Sequence, residues 1–154
     1  MKIWLLTHSE EIKKTTGTGP LVKSALGLQC EIVVWSRVSP DEAILNLPNN
    51  TTLLIYPKVQ AETISYDTVF SEIENIIILD GTWQQARKMY NQSPYLQRLT
   101  HYEIHGVKSV YNKRRNQKET GLCTAEVAIH LLQKNNHPAA PRLVDDFHRF
   151  NQSQ

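Results

Sequence analysis

Short apolar runs alternate with helix-like segments along the whole chain. Five of these runs have the length and the content of β-branched residues that are typical of strands. One of them, N-I-I-I-L, is continuously apolar, as expected for a strand that is covered on both faces. The predicted strands are Lys2–Thr7, Cys30–Trp35, Thr51–Tyr56, Asn75–Leu79 and Thr100–Ile104.

Helix signals fill the intervals between these strands. Gly19-Pro20 opens a helix that Gly27 ends, and Ser39 with Glu42 three residues later predicts a capping box. Strand–helix alternation predicts an α/β fold with a mainly parallel sheet and helices on both faces, built as one domain over residues 1–154. The remaining predicted helices are 83–90, Thr124–Leu132 with Thr124 as its cap, and Pro141–Phe150.

The composition is that of an ordinary soluble globular protein with a formal net charge of +2. No apolar run has the length of a membrane span, and the apolar start at residues 1–6 is too short for a signal peptide, so we expect a cytoplasmic protein without a membrane partner. Cys30 and Cys123 form no C-x-x-C pair, and no H-E-x-x-H occurs. We therefore expect no metal site and no disulfide, and two buried thiols.

The segment from Ile76 to Met89 is the most informative part of the sequence. A buried strand runs into Asp80, Gly81 and Thr82, and a helix follows. Ligands of open parallel sheets bind beyond the carboxyl ends of the strands, which is where Asp80 would stand. Gly81 permits a tight turn, and Thr82 can cap a helix whose first amides then face an anion. A purely structural cap is an equally good interpretation of these residues.

Two further segments carry polar groups that suit a ligand. Thr15–Pro20 lies between the first strand and the first helix, where hydroxyls and backbone amides can wrap a polar molecule, although an ordinary turn also explains it. Lys113, Arg114 and Arg115 are adjacent cations with few acids nearby, which predicts a surface that contacts phosphates. A solvated basic loop is the alternative.

Six blocks of sequence occur in a characteristic order between residues 4 and 133. They are 8–19, Trp35-Ser36-Arg37, Tyr56-Pro57, 79–88 with its Asp-Gly-Thr-Trp core, 109–115 and 121–126. Together they resemble the DTW-domain tRNA-uridine aminocarboxypropyltransferase family. The N-terminal C-x-x-C cluster that members of this family often carry has no counterpart in a sequence with two distant cysteines.

The resemblance implies that a 3-amino-3-carboxypropyl group passes from S-adenosylmethionine to a uridine in tRNA and leaves methylthioadenosine. It also implies a compact, SPOUT-like fold, with the knot of that fold left open. Cofactor-binding residues are expected in the turn before the first helix and in three stretches, 56–57, 79–83 and 122–126. RNA-binding residues are expected in the block that contains Arg37 and in the block that contains Lys113. The expected cofactor residues are Thr18, Gly19, Tyr56, Pro57, Leu79, Gly81, Thr82, Trp83, Leu122, Cys123, Thr124, Ala125 and Glu126, and the expected RNA contacts are Arg37, Lys113, Arg114 and Arg115.

Asp80 is the expected catalytic residue, either as the base that takes a proton from the uridine ring nitrogen or as a ligand of the amino group of the cofactor. The cofactor carboxylate is expected at free amides after Thr82 or Thr124, and the ammonium at Asp80 or Glu126. Trp35 and Trp83 are expected to pack in the core, and stacking of either ring on a base or on adenine is the alternative. An RNA methyltransferase with the same cofactor and a non-catalytic RNA-binding module are the alternatives, and the oligomeric state and the target uridine stay open.

Overall fold

The computed structural model describes residues 1–57, 70, 72–113 and 121–153. Within these ranges five strands form one sheet in the order β2-β1-β4-β3-β5, and every neighbouring pair is parallel. The predicted α/β class is confirmed. The strands are β1 Lys2–Thr7, β2 Cys30–Val34, β3 Thr52–Ile55, β4 Asn75–Asp80 and β5 Thr100–Tyr102.

Helices connect and follow the strands, and two short ones, Ser9–Ile12 and Pro94–Gln97, were not predicted from the sequence. The helix that begins at Gly19 ends before Gly27, whose φ of 58° is unfavourable for a side chain, as the sequence predicts. The helices of the described ranges are α1 Ser9–Ile12, α2 Gly19–Leu26, α3 Glu42–Leu45, α4 Trp83–Asn91, α5 Pro94–Gln97, α6 Thr124–Lys134 and α7 Ala140–Gln152.

The sheet separates two apolar cores, because successive side chains of a strand point to opposite faces. In β1, Ile3 and Leu5 face the core that contains helices α2, α6 and α7. Trp4 and Leu6 face the core formed with α3, α4 and α5. Helices therefore cover both faces, which explains why β4 is apolar at every central position.

Two predicted helix caps are wrong. The cap of α3 is Asp41, whose Oδ1 accepts a hydrogen bond from the Ala43 amide at 2.9 Å, and not Ser39. Helix α6 is capped by Cys123, and Thr124 is its first residue. The Thr124 hydroxyl is engaged elsewhere, because it donates a hydrogen bond to Asp80 from a distance of 44 residues along the chain.

The order of the strands creates a crevice between β1 and β4. From β1 the chain goes to β2 at one edge of the sheet, whereas from β4 it continues to β5 at the opposite edge. Ligands of open α/β sheets bind at such a reversal, beyond the carboxyl ends of the strands.

Among the described residues, none of the helices combines the length and the apolar content that crossing a membrane requires. The SPOUT-like fold that the resemblance implies stays a prediction, and its knot stays open.

Candidate active site at the carboxyl edge of the sheet

Asp80 is the last residue of β4 and lies in register with Thr7, the last residue of β1. Its side chain is buried, with only 6% of the residue exposed. The Thr124 hydroxyl donates to Oδ1 at 2.6 Å, and the Thr7 hydroxyl lies 3.2 Å from Oδ2. Two strands and the start of α6 therefore converge on one carboxyl group, at the place where the sequence predicts a ligand site.

Burial raises the pKa of Asp80 above the ordinary value of an aspartate. The hydrogen bonds from Thr124 and Thr7 act in the opposite direction, because they favour the charged carboxylate. The Thr7 hydroxyl also lies 3.2 Å from the Leu5 carbonyl oxygen. Thr7 can therefore donate a hydrogen bond to the ionised Asp80, or donate one to Leu5 while it accepts a hydrogen bond from neutral Asp80, so the site suits both protonation states.

A cavity of about 390 Å³ opens beside Asp80. This volume falls within the roughly 300–1,000 Å³ of small-molecule sites. The lining combines hydroxyls and lysines with aliphatic side chains. The lining residues are Glu11, Lys13, Lys14, Thr15, Thr16, Thr18, Ile78, Leu79, Asp80, Gly81, Thr82, Tyr111, Lys113, Leu122, Cys123, Thr124 and Val127.

The start of α2 packs directly against Asp80. A Cβ atom at Gly19 would lie 2.9 Å from Asp80 Oδ2, which is closer than real Cβ contacts. Next to it, the Thr18 hydroxyl accepts a hydrogen bond from the Ala125 amide at 2.9 Å. Glycine at position 19 therefore makes room for the carboxylate, and Thr18 joins the starts of α2 and α6.

The helix amides expected to bind an anion are largely engaged within the chain. At α4, a capping box joins Thr82 Oγ1 to the Gln85 amide and the Gln85 side chain to the Thr82 amide. At α6, the Ala125 amide donates to Thr18, and the Glu126 amide donates to the Cys123 sulfur. The expectation of free amides is therefore wrong for Gln85, Ala125 and Glu126, whose amides are engaged within the chain.

Glu126 joins the start of α6 to the segment that follows β5. Its Oε1 accepts hydrogen bonds from the Ser109 hydroxyl at 2.6 Å and the Cys123 amide at 3.0 Å. Its Oε2 accepts one from the Val110 amide at 2.9 Å. The carboxylate is thus engaged by the protein and does not line the cavity. Tyr111, which follows Val110 in the sequence, lines the cavity, and its hydroxyl donates a hydrogen bond to the Thr16 carbonyl.

The lining of the cavity also lacks three other expected cofactor residues, Tyr56, Pro57 and Trp83. Tyr56, which precedes Pro57 after β3, stacks on Tyr90 with ring centroids 4.0 Å apart. Trp83 is 53% exposed, so its expected place in the core is wrong, and the Arg87 guanidinium lies 5.3 Å from its ring centroid. Trp35 is half-buried and packs against the core of α3, α4 and α5, as expected.

Seven of the predicted cofactor residues line the cavity, namely Thr18, Leu79, Gly81, Thr82, Leu122, Cys123 and Thr124. Gly19 and Ala125 are buried next to it. Sequence reasoning did not single out Lys13, Lys14 or Tyr111, although each lies in a block that resembles the family. It also missed Thr7, because only the register between β1 and β4 brings this hydroxyl to Asp80.

Two of the four expected RNA contacts belong to the part of the chain that the structure describes. Arg37 is exposed in the segment after β2. Lys113 lines the cavity, donates to the Ser153 carbonyl and lies 5.5 Å from the centroid of Phe150. Arg114 and Arg115 lie outside the described residues.

Neither cysteine is a candidate nucleophile. Both thiols are free and buried, as predicted. Burial raises the pKa of Cys123 to about 12 and that of Cys30 to about 11, so both stay protonated at neutral pH. Among the described residues there is also no group of three or more histidine, cysteine, aspartate or glutamate side chains arranged to hold a metal ion.

Comparison with known proteins identifies the family. The DTW domain model matches residues 1–154. The chain is 26% identical over 145 residues to tRNA-uridine aminocarboxypropyltransferase 2 of Macaca fascicularis, an alignment that covers 88% of this chain and 49% of the relative. It is 28% identical over 139 residues to the protein of the same name from Drosophila melanogaster, with coverage of 85% and 55%. The chain thus spans about half the length of these curated relatives, and no solved structure matches it. Because the family model covers all of its residues, the chain belongs to the DTW-domain family.

Proposed function

We propose that the chain transfers the 3-amino-3-carboxypropyl group of S-adenosylmethionine to a uridine in tRNA and releases methylthioadenosine. The names of its relatives and its family membership support this reaction class. The observation that carries the proposal is the buried Asp80 carboxyl, which two threonine hydroxyls hold at the wall of a cavity of suitable size.

The cavity has the mixed lining that S-adenosylmethionine requires. Ile78, Leu122 and Val127 supply an apolar wall for the adenine and the carbon chain, and the threonines supply hydroxyls for polar atoms. Since the amides at the start of α6 are engaged, we propose that the ammonium groups of Lys13 and Lys14 attract the cofactor carboxylate. Lys14 is 3.0 Å from Glu11 Oε2, so this pair brings both signs of charge to the cavity.

When bound, S-adenosylmethionine supplies an electrophilic γ-carbon next to its sulfonium. The uridine ring nitrogen forms a bond to this carbon, the bond from the carbon to sulfur breaks, and its electron pair stays on the sulfur of methylthioadenosine. The proton of the ring nitrogen goes to Asp80. Such a base contributes about 10²–10⁴-fold to a rate.

We assign Asp80 as the base and not as the ligand of the cofactor ammonium. A buried carboxyl with a raised pKa is a stronger base than an exposed aspartate, and Thr7 can reverse its hydrogen bond when the proton arrives. An ammonium ligand, in contrast, works best as a carboxylate that is fully ionised.

Nucleoside analysis tests the proposal. Unmodified tRNA is incubated with the protein and S-adenosylmethionine, digested to nucleosides and examined by mass spectrometry. We expect a uridine that carries the aminocarboxypropyl group. A methylated nucleoside would assign the chain to the RNA methyltransferases instead, and unchanged tRNA together with a failure to bind S-adenosylmethionine would identify a non-catalytic RNA-binding module.

A further inference from the structure

A row of aromatic side chains follows the carboxyl edge of the sheet. Trp35 comes directly after β2, His8 directly after β1 and Tyr56 directly after β3. Trp83 follows β4 by three residues, as the first residue of α4, and Tyr90 of α4 stacks on Tyr56. We call these five residues the aromatic rim. Since neighbouring strands lie about 4.8 Å apart, residues that follow adjacent strands come within ring-to-ring distance of one another.

Ring geometry shows that the rim is ordered in pairs. His8 and Trp35 lie nearly parallel, with centroids 6.4 Å apart and planes at 17°. Tyr56 and Tyr90 stack at 4.0 Å and 10°. A Cβ atom at Gly81 would lie 3.5 Å from the Cβ of His8, so the turn that leads to Trp83 packs against the first pair.

Trp83 is the most exposed ring of the rim. Its exposed fraction of 53% is large for a tryptophan that follows a strand whose last five residues are buried. The Arg87 guanidinium lies 5.3 Å from the indole centroid. An exposed indole beside a guanidinium is the arrangement that stacks on nucleobases in proteins that bind single-stranded nucleic acids.

The charge around Trp83 suits a polyanion. Residues 81–102 contain Arg87, Lys88 and Arg98 and no aspartate or glutamate. Arg87 and Lys88 are both exposed on α4. A protein surface that must only stay soluble usually mixes both signs of charge, whereas this stretch carries one sign next to the exposed indole of Trp83.

We propose that the aromatic rim, with Trp83 and Arg87 at its centre, binds the unpaired bases that flank the acceptor nucleotide of a single-stranded RNA segment. The inference rests on the proposed function, because it takes RNA as the acceptor. Thr82 lines the cavity while the next residue, Trp83, stands on the rim. RNA bases stacked on the rim would therefore hold the neighbouring nucleotide at the mouth of the Asp80 cavity.

RNA binding by three variants tests the inference, with a fluorescein-labelled single-stranded oligouridylate and unmodified tRNA as probes. Trp83→Ala should weaken the affinity for both by roughly 5- to 100-fold, the size of one lost base stack. Trp83→Phe should keep most of the affinity, because phenylalanine still stacks. Arg87→Gln should weaken binding as well. Arg149→Gln is the matched control, since Arg149 is exposed on α7 and paired with Asp146.

Binding of S-adenosylmethionine to each variant completes the test. Weaker RNA binding with unchanged cofactor affinity supports the inference. RNA affinity of Trp83→Ala that equals that of the wild type overturns it, and so does a loss of cofactor affinity with RNA binding intact, which would mean that the indole stacks on adenine. These binding measurements do not need turnover. RNA bound at the aromatic rim without any group transfer would therefore refute the proposed function and still support RNA binding by the rim.

Discussion

Replacement of Asp80 by asparagine separates the chemistry of this residue from its packing. Asparagine has the same shape, and its Oδ1 can accept the hydrogen bond that Thr124 donates at 2.6 Å. Its amide nitrogen can donate to Thr7, whose own hydrogen then turns to the Leu5 carbonyl 3.2 Å away. Both contacts of the buried group survive, but the group can no longer accept a proton.

The expected stability of this variant follows from these contacts. Below the ordinary aspartate pKa, where the carboxyl group is neutral in the folded and in the unfolded chain, the free energy of unfolding should stay within about 1 kcal/mol of the wild type, since no buried donor loses its partner. Asp80→Ala should instead cost about 1–3 kcal/mol, because the Thr124 hydroxyl is left without its acceptor. Thermal and denaturant unfolding of the two variants measures this difference.

The pH dependence has a definite sign. Because burial raises the pKa of Asp80, the folded protein binds the proton more tightly than the unfolded chain does. Asp80 therefore lowers the stability of the wild type as the pH rises from the ordinary aspartate pKa through the raised one. Relative to the wild type, Asp80→Asn should gain stability across that window and gain nothing more above it.

The rate of transfer is the decisive readout for Asp80. Asp80→Asn should bind S-adenosylmethionine with the affinity of the wild type and transfer its group about 10²–10⁴-fold more slowly. Single-turnover kinetics with saturating tRNA measures the chemical step. Transfer at the wild-type rate would refute the role of Asp80 as a base, and a selective loss of cofactor affinity would show that Asp80 holds the ammonium group.

Three further changes test other parts of the site. Thr124→Val removes a hydrogen bond that lowers the pKa of Asp80, so the acid limb of the pH profile of kcat/KM should move to higher pH. An unchanged acid limb would contradict the influence of Thr124 on the pKa of Asp80. Gly19→Ala places a methyl group 2.9 Å from Asp80 Oδ2 and should destabilise the fold by about 1–3 kcal/mol in thermal unfolding, whereas wild-type stability would mean that the carboxylate moves freely. Replacing Arg114 and Arg115 by alanine should lower the log–log salt slope of tRNA binding by about two at most with cofactor affinity unchanged; an unaltered slope would identify a solvated loop.

The order of strands and helices follows from local pattern, and most of it could be predicted. The apolar run of β4 and the helix signals at Gly19, Pro20 and Gly27 need no information from distant residues. Asp80 was identifiable because it ends a buried strand next to glycine and threonine. The seven cavity-lining residues predicted from the sequence lie at such strand or helix ends.

Contacts between distant segments could not be predicted. Thr124 has the composition of a helix cap, but its hydroxyl has a partner 44 residues away, and Cys123 becomes the cap instead. Thr7 joins the site only through the register of β1 with β4. The exposure of Trp83 was missed for a related reason, because the core on that face is completed by residues such as Met89 and Leu96, which leaves the indole outside.

The identity of the by-product that forms from S-adenosylmethionine, methylthioadenosine or S-adenosylhomocysteine, tests the proposed function most directly. The protein is incubated with S-adenosylmethionine and unmodified tRNA, and methylthioadenosine and S-adenosylhomocysteine are quantified, with Asp80→Asn as the matched control. We predict methylthioadenosine in amounts equal to the aminocarboxypropyl groups found on tRNA, and little of it from the variant. S-adenosylhomocysteine as the main product, or methylthioadenosine formed equally without tRNA, would contradict aminocarboxypropyl transfer to RNA.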